Sequence, residues 1–380
     1  MKNNKKYFLL LLKKGIPFTI FNFVVFSLLY ILPLAFTTNF RFEENVIGNY
    51  NSYYNLSTNF GYLVAALAIY AFIIPIKSFS FLTNKKHIDT HYSIPIERKT
   101  IAFTNVISDI LCVIIPFTLV YFIGSLITLL FYNEVLYIYY IIFYLILIIS
   151  FILYFLYNAF FFSRANKIID GIVTAIFANF VFLLIMACIV EGFDIKNDEI
   201  IELLNIEGGE LNYLSLPFMP FIRYGNYFDK MITSKYDYHD YFLSMIKYPD
   251  VFDGKILNYS EWFAINRTAF NPIYLIFLAI ISIIAIILLI ILFNKRKPEE
   301  AEEIGTSNFG LKVLSPLCFS LLTILFSIES DLFISWVTFI IVIISYLGTT
   351  LLELRTFKFP LYKILMLAGM FILTFISLFR

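Results

Sequence analysis

Nine stretches of the chain are apolar enough, and long enough, to be read as bilayer-crossing helices. They fall at about 16–36, 60–81, 106–132, 136–162, 171–190, 271–293, 311–328, 332–352 and 364–379. A spanning helix needs roughly 20 mostly apolar residues because it rises 1.5 Å per residue through about 30 Å of hydrocarbon. Short polar segments separate most of the runs, and one long polar region, 191–270, separates the fifth from the sixth. The pattern predicts an all-α polytopic membrane protein of about nine transmembrane helices with a small external region between helices 5 and 6. No alternating strand pattern competes with it.

Composition agrees. The 380 residues are 60% hydrophobic and 14% charged, against about 25% charged in soluble domains. The net charge is +1, which gives no reason to expect a nucleic-acid partner. The placement of the charges carries more than their sum. If the spans alternate, 19 of the 28 Lys and Arg fall in 1–15, 77–100, 163–170, 294–312 and 353–363. Basic residues collect on the cytoplasmic side of spanning helices. The N-terminus is therefore expected in the cytoplasm; the richness in Ile, Asn, Lys, Phe and Tyr suggests a bacterial source, which would put the chain in the cytoplasmic membrane. Residues 191–270 carry 13 acidic and 7 basic side chains and are expected outside.

The opening "MKNNKKYFLLLLKKG" sets five Lys around an apolar pentad. It reads as a basic amphipathic helix lying on anionic lipid, or as a basic stop before the first span. Cys112, Cys188 and Cys318 all sit in apolar runs and are spaced for neither a metal site nor a disulfide framework.

Chemistry is sparse. The nearest approach to a nucleotide-binding loop, "GTSNFGLK" (305–312), has its Lys displaced and no Ser or Thr after it. The spacing of His87 and His91 in "HIDTH" would suit a metal, but a third ligand is lacking nearby. Neither metal nor cofactor is expected on this chain, and no catalytic set is apparent. Asp109 is the one acid well inside a predicted span. It is either a functional intramembrane carboxylate or an interfacial partner of Lys77 or Arg98. Pro33, Pro75 and Pro116 lie within spans and can distort them.

The segment between the second and third spans is the most distinctive. "SFLTNKKHIDTHYSIPIERKTIAFTN" (80–105) resembles the stretch before the third span of bacterial ABC transporter permeases of the ABC-2 type. The similar positions are Ser80, Phe81, Leu82, Lys85, Lys86, Asp89, Ser93, Pro95, Ile96 and Arg98. The order His91-Tyr92 is reversed relative to that family, and Ile94 stands for its Leu. "LFNKRKPEEAEEIGTSNFGLKVLSP" (292–316) is similar to a second stretch of the group through Arg296, Lys297, Glu300, Ala301, Glu303 and Ile304, with Glu302 in place of a Gly. "LELRTFKFPLYK" (352–363) resembles the group's last basic loop more weakly.

The resemblance implies an interfacial helix at 1–15 and a six-span permease core at 16–293, containing a cytoplasmic coupling loop at 82–104 and an extracellular region at 191–270. A cytoplasmic linker at 294–310 and three further spans at 311–380 would follow. It implies a transport subunit, with ATP hydrolysed on a separate P-loop ABC ATPase (a homodimer), working for export beside a second permease copy or a sister permease and among membrane lipid. Asp89, His91, Tyr92, Ser93, Ile94, Pro95, Ile96, Glu97 and Arg98 are then the ATPase-coupling residues. A short helix capped by Asp89 or Ser93 would present Ile88, Tyr92, Ile94 and Ile96 as an apolar anchor. The competing class is an ATP-independent secondary transporter or channel, which would need ionisable residues paired deep in the spans.

Overall fold

The structure is a computed structural model. It describes residues 2–37, 40–44, 50–54, 60–131, 137–192, 217–225, 228, 272–296, 311–329, 332–354, 356 and 359–378. Helices occur at all nine predicted positions. They are α1 (Lys2–Phe26), continued through one wide π-helical turn (Ser27–Ile31) into α2 (Leu32–Thr37); α3 (Phe60–Phe79); the short α4 (Lys85–Tyr92); α5 (Arg98–Phe131); α6 (Tyr137–Ser163); α7 (Ile168–Gly192); α8 (Ile273–Lys295); α9 (Leu311–Glu329); α10 (Leu332–Leu354); and α11 (Leu361–Leu378). Among the described residues, six of these segments, those of α1 to α2, α3, α5, α6, α7 and α8, are long and apolar enough to cross a membrane. The chain is thus a multi-pass membrane protein. α9 and α10 hold shorter apolar stretches, Lys312–Leu325 and Ile340–Leu351.

One element departs from the helical expectation. β1 (Phe40–Glu44) pairs antiparallel with β2 (Tyr50–Tyr54), from Phe40 opposite Tyr54 to Glu44 opposite Tyr50. Most of the region 191–270 and of the linker 294–310 lies outside the described residues.

α6 is the centre. Phe143, Leu147, Phe151 and Phe155 are fully buried along it, and α3 and α8 pack on its flanks. α1 lies along α5 at the periphery, and only 22% of its apolar window is buried, against 50% for α6. Its outer face (Ile16, Ile20, Phe21, Val24, Leu28) is exposed, as a lipid-facing helix requires. α7 joins this core to a second one, where Val181 and Leu184 meet Cys318, and Phe319, Val342 and Tyr346 pack together against Phe177.

The prolines explain several buried polar contacts. Pro116 has no N–H for the carbonyl of Cys112, four residues earlier on α5. Asn22 of α1 donates its Nδ2 to that carbonyl at 3.1 Å. Pro75 likewise leaves the Ala71 carbonyl of α3 without its helical donor. Asn158 of α6 reaches it at 3.5 Å while its Oδ1 accepts from Asn179 of α7 at 2.9 Å. In hydrocarbon such freed carbonyls must be satisfied by neighbouring helices, so two prolines and two asparagines fix how α1, α3, α5, α6 and α7 sit together. Pro33 falls just after the wide turn, which carries the helix past the missing N–H. The turn brings Tyr30 inward to stack on Tyr121, with ring centroids 6.3 Å apart. A Cβ on Gly124 would overlap the Tyr30 ring, so only glycine admits this approach.

The first fifteen residues do not form a separate surface helix. α1 runs without a break from Lys2 through Gly15 and Pro17 to Phe26. With the wide turn and α2 the helical run covers 36 residues, about 54 Å at 1.5 Å per residue against a hydrocarbon core of about 30 Å. The 34 residues of α5 also outrun the bilayer. Their polar N-terminal turns lie together, at the end of the bundle that carries α4.

Candidate functional site

The segment 80–99 folds as a 3₁₀ turn (Ser80–Thr83), α4, and a tight turn into α5. Asn84 opens α4. Its side chain accepts the Lys86 N–H at 3.0 Å, and its carbonyl accepts those of His87 and Ile88. This corrects the expected cap: Asp89 and Ser93 do not start the helix, because Asn84, ahead of both, already supplies the acceptor. Ser93 instead ends it. Its N–H goes to the Asp89 carbonyl at 3.0 Å and its hydroxyl to the Thr90 carbonyl at 2.9 Å. Pro95 follows where α4 has already ended. The Ile96 N–H closes on the Ile94 carbonyl at 2.7 Å, and the Glu97 carbonyl accepts the N–H groups of Thr100 at 2.9 Å and Ile101 at 3.1 Å in the first turn of α5. Tyr92 is the last residue of α4.

The apolar side of α4 faces its own chain. Ile88 is 1% exposed in the main core, and Ile96 packs against that core. His91 packs against Phe81 with centroids 4.6 Å apart and the rings tilted at 42°, and its Nδ1 is 3.1 Å from the Tyr7 hydroxyl of α1. Burial, first, and the charges of His87 and Lys14 hold the His91 imidazole below its ordinary value of 6.5. The expected apolar anchor is therefore corrected: Ile88 and Ile96 hold the segment to the bundle. Asp89, Ser93, Pro95, Glu97, Arg98 and Lys99 remain exposed, with Ile94 half-buried among them. The Lys99–Glu97 pair at 3.0 Å is wholly on the surface and contributes little.

Asp109 is paired with Lys77, one of the two partners expected for it. Oδ1 accepts from Lys77 Nζ at 3.1 Å and Oδ2 from the Ser78 hydroxyl at 2.5 Å. Lys77 also lies 3.8 Å above the Phe18 ring. Arg98 is engaged elsewhere: its Nη1 donates to the Arg296 carbonyl at 3.2 Å.

Arg296 stands out in the sequence only as one similar position within a basic stretch, with no sign of burial, yet it is 2% exposed. Its Nη2 donates to the carbonyls of Leu82 at 3.0 Å and Ala165 at 2.8 Å, with Asn166 Oδ1 at 3.4 Å, and its Nη1 donates to the Ser163 carbonyl. Ser163 is the last residue of α6, so its carbonyl has no helical donor. Arg164 returns the arrangement by donating to Leu292 in the last turn of α8 at 3.4 Å. The ends of α6 and α8 thus cap each other by arginine, which also suits the negative ends of both helices. The other members of the second sequence motif lie outside the described residues.

A second buried cation lies among the last helices. Lys363 of α11 pairs with Glu353 of α10 at 2.7 Å, with side chains 1% and 4% exposed. The rings of Tyr346 and Tyr362 lie 5.8 and 5.7 Å from its Nζ. Comparison with family models, with curated proteins and with solved structures finds no match to this chain.

Proposed function

We propose that this protein is the membrane-spanning subunit of a bacterial ABC exporter, of the ABC-2 type, and that 80–99 is where its ATPase docks. One observation carries the reading. A short helix, capped at both ends and pinned on one side by Ile88 and His91, leaves a continuous polar face open beyond the bilayer. A segment that must transmit a push needs this combination: a rigid backing and a free front. The front carries Asp89, Ser93, Pro95, Glu97 and Lys99, charges that set register with a complementary groove. Recognition then rests on polar complementarity, with Ile94 as the apolar contact.

In this account the chain performs no covalent chemistry. ATP binding closes the partner dimer, the dimer displaces α4, and the bundle moves between inward- and outward-open states with a second permease copy or a sister subunit. All nine helices would cross the cytoplasmic membrane, with the N-terminus inside, as the basic residues indicate.

The test is purification of the tagged chain in mild detergent, with mass spectrometry for a P-loop ATPase and an assay of ATP hydrolysis. The parent should bring down the ATPase and its activity, and Asp89→Lys/Glu97→Lys should lose both. A parent chain that runs without an ATPase contradicts the proposal. One observation favours the second reading, an ATP-independent transporter: Glu353 and Lys363 form a buried ion pair of the kind such proteins use. Flux through liposomes holding the chain alone would support it.

A further inference from the structure

Resting on the coupling reading above, we propose that Arg296 is the positioning residue that makes the coupling segment, the 163–166 turn and the end of α8 move as one body. The guanidinium reaches two stretches distant in sequence, Leu82 before α4 and Ser163, Ala165 and Asn166 between α6 and α7, while its own backbone N–H ends α8 on the Phe293 carbonyl at 3.3 Å. Arg98, at the start of α5, closes the ring through the Arg296 carbonyl at 3.2 Å. Every backbone acceptor in the ring is a carbonyl at a turn or a helix end, where the helical ladder supplies no donor. α4 therefore cannot shift against α6 and α8 without stripping hydrogen bonds from a buried charge, a loss far larger than that of a surface contact. A displacement imposed on α4 is passed instead to α6, the centre of the bundle, and to α8. Lysine could not substitute, because a point charge cannot divide its donors among acceptors spread around a planar fork.

The experiment uses full-length chain with Cys112, Cys188 and Cys318 replaced by Ala and spin labels at positions 87 and 167, which lie on the two segments that Arg296 joins. The label-to-label distance is measured in nanodiscs, with the chain alone and with the co-purified ATPase trapped by ATP and vanadate. The parent should give one narrow distance that the nucleotide leaves unchanged. Arg296→Lys should broaden it in the chain alone and shift it when the ATPase is trapped. An Arg296→Lys distribution as narrow as the parent's in both states overturns the proposal. Should that variant fail to fold, Arg98→Gln removes only the outer link of the ring and should broaden the distance by less; a distance unchanged in Arg98→Gln then overturns it. If no ATPase accompanies the parent, the coupling reading fails, and the chain-alone comparison still decides whether Arg296 joins the two segments.

Discussion

Among the described residues two cations are buried, Lys363 and Arg296, and they are neutralised in opposite ways. Lys363 meets one carboxylate, Glu353, across the connection between consecutive helices. Arg296 meets neutral oxygens from several segments, which its five donors in a rigid fork allow. The difference follows from the task. Two neighbouring helices can be pinned by a pair of point charges. Joining the end of α8 to turns that lie 130 and more residues before it requires one group with many donors. The pair is local and would tolerate replacement as a unit. The arginine is a hub with no simple substitute.

The comparison can be broken most forcefully at the pair. Lys363→Met leaves Glu353 buried without its partner and should cost about 3–5 kcal/mol, the usual penalty for half of a buried ion pair. Thermal unfolding in detergent would read it. Lys363→Met/Glu353→Leu should recover most of the loss, because apolar packing replaces both charges. Full loss in the double variant would show that the pair is not a replaceable unit.

Arg296→Ala should come next, at roughly 2–3 kcal/mol, since several charge-assisted bonds vanish together but not additively. Amide exchange should rise around 82–86 and 163–168 in concert. A rise in one segment alone would mean that the arginine serves that segment only.

A smaller effect, about 0.5–1 kcal/mol, is expected from Asn22→Leu, which strips the Cys112 carbonyl of its donor. With Pro116→Ala the backbone N–H returns, and Asn22→Leu should then cost measurably less. Equal costs in both backgrounds would separate Asn22 from the proline.

The gentlest test concerns pH at His91. Its value in the folded chain lies below 6.5, so the unfolded chain takes up a proton that the folded chain resists. Stability should be fully present above pH 6.5, fall as the pH drops through that value, and level off below the folded value. His91→Gln should flatten this part of the profile, and an unchanged profile would contradict the burial of the ring against Phe81 and Tyr7.

Hydrophobic runs marked nine positions where helices occur, and six of those helices are, among the described residues, long and apolar enough to cross a membrane. They misplaced the ends. α5 begins at Arg98 rather than near 106, and α1 at Lys2 rather than near 16, because an apolar count stops where lipid stops while the helix continues. The β1–β2 pair lies in a polar connection between spans, where that count carries no signal. The links within the bundle were half legible. Any proline within a helix names the carbonyl it orphans four residues back, so Cys112 and Ala71 could have been marked as needing donors. Which asparagines supply them depends on packing between distant helices. Arg296 looked like one more basic residue of a loop, since nothing local distinguishes a buried arginine from a solvated one. The residues proposed for coupling were read from resemblance, while the inward turn of Ile88 and the engagement of Arg98 needed the fold.

The central claim is that the exposed front of 80–99 touches an ATPase, and site-specific photo-crosslinking in native membranes tests it most directly. A benzophenone amino acid placed at Ser93, which faces out, should form an adduct identified as a P-loop ATPase. The same probe at Ile88, which faces the protein's own core, should form none. Absence of the ATPase adduct from Ser93, or equal adducts from both positions, would contradict the account.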